Sequence, residues 1–147
     1  MRLNLFQPLG IVQTDYWDFH GDVHGGSSLY LTMRDMAKIG QLVLNEGEWE
    51  GQQVVPASWI EESTAQKVQT DTLRYAYQWW VNDFSANGKD YHAVYANGWG
   101  GQFIFVFPEL NAVVVMTGRR YEDGQGQETS VRTMLEQHVL PVLLSSQ

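Results

Sequence analysis

Between Tyr75 and Thr117 the chain holds four strand-like segments joined by connections too short to cross over a sheet. Nothing else in the sequence restricts the fold as much. Tyr75-Ala76-Tyr77-Gln78-Trp79-Trp80-Val81 is rich in strand formers, and Ser85-Ala86-Asn87-Gly88-Lys89 reads as a hairpin turn. Tyr91 to Tyr95, Gln102 to Phe107 and Ala112 to Thr117 complete the set, with Pro108-Glu109-Leu110-Asn111 turning the last pair. Parallel strands need a crossover of about a dozen residues or more, so these segments must pair antiparallel. Val113, Val114 and Val115 are apolar in succession, as expected of a central strand covered on both faces.

Helices flank this meander. Thr32 stands three residues before Asp35, the spacing of a capping box. Met33, Met36, Ile39, Gly40, Val43 and Leu44 then recur at helical spacing, and Gly47 is suited to a left-handed C-cap. Pro56 starts a short helix from Ala57 to about Thr64, followed by a polar loop over 65–73. A last helix is expected from about Glu128 to Leu140. Its buried stripe would be Val131, Met134, Leu135, His138 and Val139, and Pro141 would end or kink it. Residues 1–31 read as irregular, and a structureless stretch that long implies a missing surface for it to pack on. The expectation is α+β: an antiparallel meander with helices packed on it, residues 1–147 forming one partial domain.

Composition removes several function classes. Nine basic residues against seventeen acidic ones leave a formal charge of −8. That is the wrong sign for nucleic acid and for anionic membranes. Cysteine is absent, which excludes disulfides and thiolate-bound metals. The start, Met1 to Phe6, is cut short by Pro8 and does not read as a signal peptide. No apolar run reaches the roughly 20 residues of a membrane span. The compartment is left open, with export of a parent protein among the alternatives.

Nucleophilic chemistry needs a Ser, Thr or Cys beside a base. The chain has no Ser-x-x-Lys; Thr64 and Lys67 have that spacing at a helix end, and Ser63 lies four residues from Lys67. His20 and His24, with Asp18 and Asp22, suggest a metal site, but Gly21, Gly25 and Gly26 argue against the helix that would bring them together. His138 is expected in the core and His92 in a cross-strand pair. Gly98, Gly100 and Gly101 stand at the head of a strand, where glycine marks either close approach of a ligand or a tight bend.

Taken together, the motifs resemble the β-lactamase-related serine hydrolases. This family groups class C β-lactamases, D-alanyl-D-alanine carboxypeptidases and β-lactamase-like esterases. Phe6-Gln7-Pro8-Leu9-Gly10-Ile11 is similar to its F-x-P-L-G-M segment. Gly25 to Gly40 is similar to its G-G-x-L-x-x-T-x-R-D-x-A-K-F-G segment. Leu44 to Trp49, Pro56 to Ile60, Tyr77 to Trp80, Gly98 to Gln102 and Phe107 to Leu110 continue in the same order. The resemblance implies a β-lactamase/transpeptidase-like fold and no cofactor or metal. It also implies that Trp99, Gly100 and Gly101 form a variant of the substrate-lining third motif, with the backbone N–H of Gln102 as an oxyanion-hole donor. The family's Ser-x-x-Lys and its catalytic Tyr-x-Asn are expected upstream. Tyr95-Ala96-Asn97 spells the latter but lies on the third-motif strand and is read as a decoy.

Three functions are therefore weighed. The first is a C-terminal fragment of a serine hydrolase for an ester, amide or β-lactam, inactive alone, whose partner is a small-molecule or peptide-like substrate. The second is a non-catalytic ligand- or partner-binding domain. The third is a metal-dependent hydrolase on His20 and His24. The sheet face or edge that would meet the missing half is expected to be exposed, which further leads to the expectation of a homo-oligomer through that sheet surface.

Overall fold

Alternation along the second half folds into a six-stranded antiparallel sheet. Its strands are β1 Val68–Gln69, β2 Arg74–Tyr75, β3 Trp80–Ala86, β4 Lys89–Gly98, β5 Gln102–Phe107 and β6 Ala112–Met116. They lie side by side in chain order, a simple meander. The computed structural model describes residues 2–12, 15–16, 18–19, 22–23, 29–70, 74–119 and 124–145. Asn87 and Gly88 both take positive φ, 53° and 78°, which closes the β3–β4 hairpin in two residues as the Asn-Gly pair predicts.

Strand period divides the sheet into two unlike faces. On one, Phe84, Tyr91, Tyr95, Phe103, Phe105 and Phe107 form a buried aromatic layer. Phe84 meets Tyr95, Phe105 and Phe107 edge to face at 5.9, 5.5 and 5.9 Å, the geometry that ring quadrupoles favour. The C-terminal segment covers this face. It consists of α3 Gly124–Met134, a π-helical turn Leu135–Val139 and α4 Leu140–Ser145. Leu135 and Leu140 are fully buried against the rings. Arg132 lies over the Phe84 ring at 4.5 Å and donates to the Asp83 carbonyl at 3.0 Å.

The other face is aliphatic, with Val81, Val94 and Val106 buried. Across it lie α1 Met33–Leu44 and, beyond, α2 Ala57–Thr64. The capping box forms as read: the Asp35 N–H donates to Thr32 Oγ1 at 3.2 Å, and that hydroxyl donates to Asp35 Oδ2 at 2.7 Å. These bonds, with Lys38 at 3.0 Å, hold the Asp35 carboxyl below its ordinary range. Gly40 is where α1 meets the sheet. A Cβ there would lie 2.5 Å from Val113 Cγ1 and 2.8 Å from Ile104 Cγ2. Gly47 takes φ 86° at the C-terminus, and a Cβ would meet the Val55 carbonyl oxygen at 2.0 Å. Only glycine fits this cap.

Four expectations need correction. The strand Tyr75 to Val81 is broken, because Ala76 donates to the Trp79 carbonyl at 2.8 Å and Gln78 takes φ 66°. Strand-forming composition there conceals a tight turn between β2 and β3. The Val113–Val115 run does lie between two covered faces, but β6 pairs only with β5 among the described strands and so sits at the sheet edge. Met134 and His138 are exposed rather than on the buried stripe. The π turn shifts the helical register: Leu140 N–H bonds the Leu135 carbonyl five residues back. The helix also runs on through Pro141 to Ser145. The widened turn precedes the proline, whose ring would otherwise crowd the preceding turn.

The leading segment is less irregular than expected. Arg2–Phe6 forms a π turn, and Phe6, Leu9 and Ile11 are buried with Leu42 of α1. Lys38 Nζ donates to the Gly10 carbonyl at 3.1 Å, fastening the Pro-Leu-Gly turn to the helix. Short antiparallel pairs join Asp15–Tyr16 to Leu29–Tyr30 and Asp18–Phe19 to Asp22–Val23. Part of what this segment packs on is therefore α1 itself.

Candidate active site

The expected third motif folds as the turn between β4 and β5. Gly98 is paired with Gln102, so Trp99, Gly100 and Gly101 form a three-residue connection. Gly101 donates to the Gly98 carbonyl at 3.2 Å. Gly100 and Gly101 take φ of 93° and 95°, a region that side-chain-bearing residues rarely enter. Backbone packs on backbone behind the turn, where a Cβ on Gly118 would lie 3.1 Å from the Gly100 carbonyl oxygen and 3.4 Å from that of Gly101. Both glycines are thus required by the bend, one of the two roles the sequence left open.

Gln102 fixes the turn to the end of β6, because its side-chain amide donates to the Gly118 carbonyl at 3.0 Å. Trp99 projects outward with 72% of its surface exposed. Thr117 Oγ1 contacts Met33 Sδ at 3.8 Å, which brings the first residue of α1 beside this end of the sheet. Met33, itself half exposed, carries no feature that would have marked it as a site neighbour; in sequence it reads only as one member of a helical stripe. The four motif residues are consecutive and the fold keeps them together.

Other candidates fall away from this place. Tyr95 is buried in the aromatic layer and donates to Glu128 Oε1 at 3.1 Å. Burial and the neighbouring Glu128 carboxylate push its phenol far above the ordinary value, so it is a core group rather than a base. Ser63 is buried and donates to the Ile60 carbonyl at 3.2 Å, while Thr64 donates to the same oxygen at 2.7 Å. Lys67 is engaged elsewhere, paired with Glu62 at 2.6 Å and lying over the Tyr77 ring at 5.4 Å. Among the described residues neither hydroxyl has a base bonded to it.

His92 is a cross-strand residue as read, with Nδ1 3.0 Å from Asp83 Oδ1. Asp83 is raised by partial burial, but bonds from Arg74 and His92 outweigh this and hold its carboxyl below the usual range. His20 and His24 lie outside the described residues. Among the described residues, no cluster of His, Asp or Glu could hold a metal ion.

No family model matches the chain, and no curated protein matches it in sequence. Solved structures do. A Bacillus anthracis protein described as a candidate 6-aminohexanoate-dimer hydrolase aligns at 25% identity and TM-score 0.58, over 80% of this chain and 32% of its own. A candidate β-lactamase from Bacteroides dorei DSM 17855 aligns at 13% identity and TM-score 0.61, over 99% of this chain and 49% of its own. The α+β meander therefore has the β-lactamase-like fold of these structures, and the chain is similar to a part of each. It spans about a third and about half of the lengths of these two structures. No described helix is long and apolar enough to cross a membrane.

Proposed function

We propose that this chain is the C-terminal part of a serine hydrolase that works by acyl transfer on an ester, an amide or a β-lactam. Trp99, Gly100 and Gly101 form one wall of the substrate cleft, and the backbone N–H of Gln102 is one oxyanion-hole donor. The nucleophile and its lysine base come from a preceding segment, so the chain is inactive alone. One observation carries this reading. The glycine turn that heads β5 is locked to Gly118 beside an exposed tryptophan, in a fold shared with longer hydrolases. A fixed turn gives a backbone N–H the preorganisation that oxyanion stabilisation requires. In the family that the motifs resemble, the third motif is commonly Lys-Thr-Gly, and Trp99 stands where its lysine would be, removing a cation that could hold a substrate carboxylate. That favours esters and amides, and the neighbour described as a 6-aminohexanoate-dimer hydrolase supports keeping amides in view.

The test is incubation of the purified chain with a chromogenic ester, a chromogenic β-lactam and a fluorescent penicillin, followed by intact mass. Absence of turnover and adduct is expected. A covalent adduct would overturn the reading and direct mutagenesis to Ser63 and Thr64. Fusion to an upstream coding segment containing Ser-x-x-Lys is expected to create ester hydrolysis that Ser→Ala in that motif abolishes. We also propose self-association through the β6 edge, because unpaired strand edges recruit further strands. A clean monomer by light scattering at high concentration would remove it.

A further inference from the structure

On the aliphatic face of the sheet, just past the C-terminal end of α1, lies an open cleft of about 650 Å³. This is within the range of small-molecule sites, roughly 300–1,000 Å³. Leu44, Ile60, Val94 and Val106 give it an apolar floor. Glu46, Glu61 and His92 stand on its polar rim. It is distinct from the glycine turn: Val94 pairs with Val106 four residues along the ladder from the Gly98–Gln102 pair. At the rise of a strand that is roughly 13 Å.

The electrostatics of the rim point one way. Among the described residues neither the Glu46 nor the Glu61 carboxylate has an ion-pair partner, whereas adjacent Glu62 is held by Lys67 at 2.6 Å. The last turn of α1 contains no basic side chain to offset this charge, its final carbonyls, those of Gln41, Leu42 and Val43, being met by the backbone N–H groups of Asn45, Gly47 and Glu46. His92, the rim group that can carry positive charge, is already bonded to Asp83 at 3.0 Å. A formal net charge of −8 adds a background field of the same sign. An apolar floor with a negative rim excludes carboxylates and phosphates and suits a single cation on a hydrocarbon body.

We propose that this cleft is a binding site for a small primary aliphatic amine. The ammonium is held at the Glu46 and Glu61 rim and the alkyl chain lies on Leu44, Ile60 and Val94. The assignment is independent of the hydrolase reading, since it uses no residue of the glycine turn. It is tested by titrating the isotopically labelled chain with hexylamine, hexanol and hexanoate at low salt and following amide chemical shifts. Hexylamine is expected to shift the amides of Val43 to Glu46, Ile60 to Ala65 and Val94 saturably, at least ten-fold more tightly than hexanol, with hexanoate not binding. The paired variant Glu46→Gln and Glu61→Gln, isosteric and solvent-facing, is expected to weaken hexylamine at least ten-fold and leave hexanol unchanged. Equal affinity for hexanol and hexylamine, an unaltered response in the paired variant, or shifts scattered away from the cleft would each overturn the proposal.

Discussion

The two faces of the sheet are built on opposite plans. One is a closed aromatic layer, in which Phe103, Phe105 and Phe107 are sealed by Leu135 and Leu140 and Phe84 is clamped by Arg132. The other is a thinner aliphatic layer, covered by α1 through the bare contact at Gly40 and left open where that helix stops. Stability and accessibility have been separated. The face with the largest rings is sealed by the C-terminal segment, and the face that carries the cleft is held by smaller side chains. The glycine turn belongs to neither layer, because it lies at the end of the strands.

The contrast is broken most directly by emptying the aromatic layer. Phe105→Ala is expected to destabilise by ~3–5 kcal/mol, whereas Ile104→Val, one residue away on the other face, should cost about 0.5–1.5 kcal/mol. Denaturant midpoints of the two variants measure the difference, and equal values would erase the distinction drawn between the faces. The aliphatic face is tested next by overfilling it. Gly40→Ala adds a methyl group where Val113 and Ile104 already touch the helix, with an expected cost of about 1–3 kcal/mol. In a Val113→Ala background the same change should cost less but not become neutral, because Ile104 Cγ2 would still lie 2.8 Å from the new methyl group.

Tyr95 sharpens the comparison with pH. Its phenol is raised in the folded state, so the protein binds that proton more tightly folded than unfolded. The resulting stability is complete below the unfolded pKa, about 10, and is lost as pH rises above it towards the folded value. Tyr95→Phe should therefore flatten the alkaline decline in thermal midpoint, while costing about 0.5–1.5 kcal/mol near neutrality for the lost bond to Glu128. A decline of unchanged slope would assign it to other groups. The smallest effect is expected at the turn: Trp99→Ala should change stability by less than about 0.5 kcal/mol, since the side chain is largely solvent-exposed. A larger loss would mean that Trp99 packs against part of the protein and is not poised for a ligand.

Local chemistry was legible wherever a few adjacent residues decide the outcome. Thr32 with Asp35, Gly47, the Asn87-Gly88 hairpin and the bounds of Gln102–Phe107 all follow from rules spanning three or four positions. The glycine motif was legible for the same reason, being contiguous. What escaped needed longer-range knowledge. Tyr75 to Val81 reads as one strand because aromatic side chains suit strands whether or not the chain turns between them, and no glycine marks the bend at Gln78. His138 was placed in the core by a 3.6-residue period that the π turn interrupts five residues before Leu140. Val113 to Val115 showed correctly that both faces are covered, but apolar runs carry no information about neighbours in the plane of the sheet. Met33 and the cleft residues are brought together by packing alone.

The position of β6 has a consequence for how the molecule is made. Ala112–Met116 presents one flank of main-chain donors and acceptors with no described strand beside it. During synthesis that flank competes for the first extended segment it meets, so productive docking and stacking of nascent copies become rival first- and second-order processes. Yield of soluble material should then fall as expression rate rises, and slow translation or low temperature should favour the folded chain without altering a single contact within it.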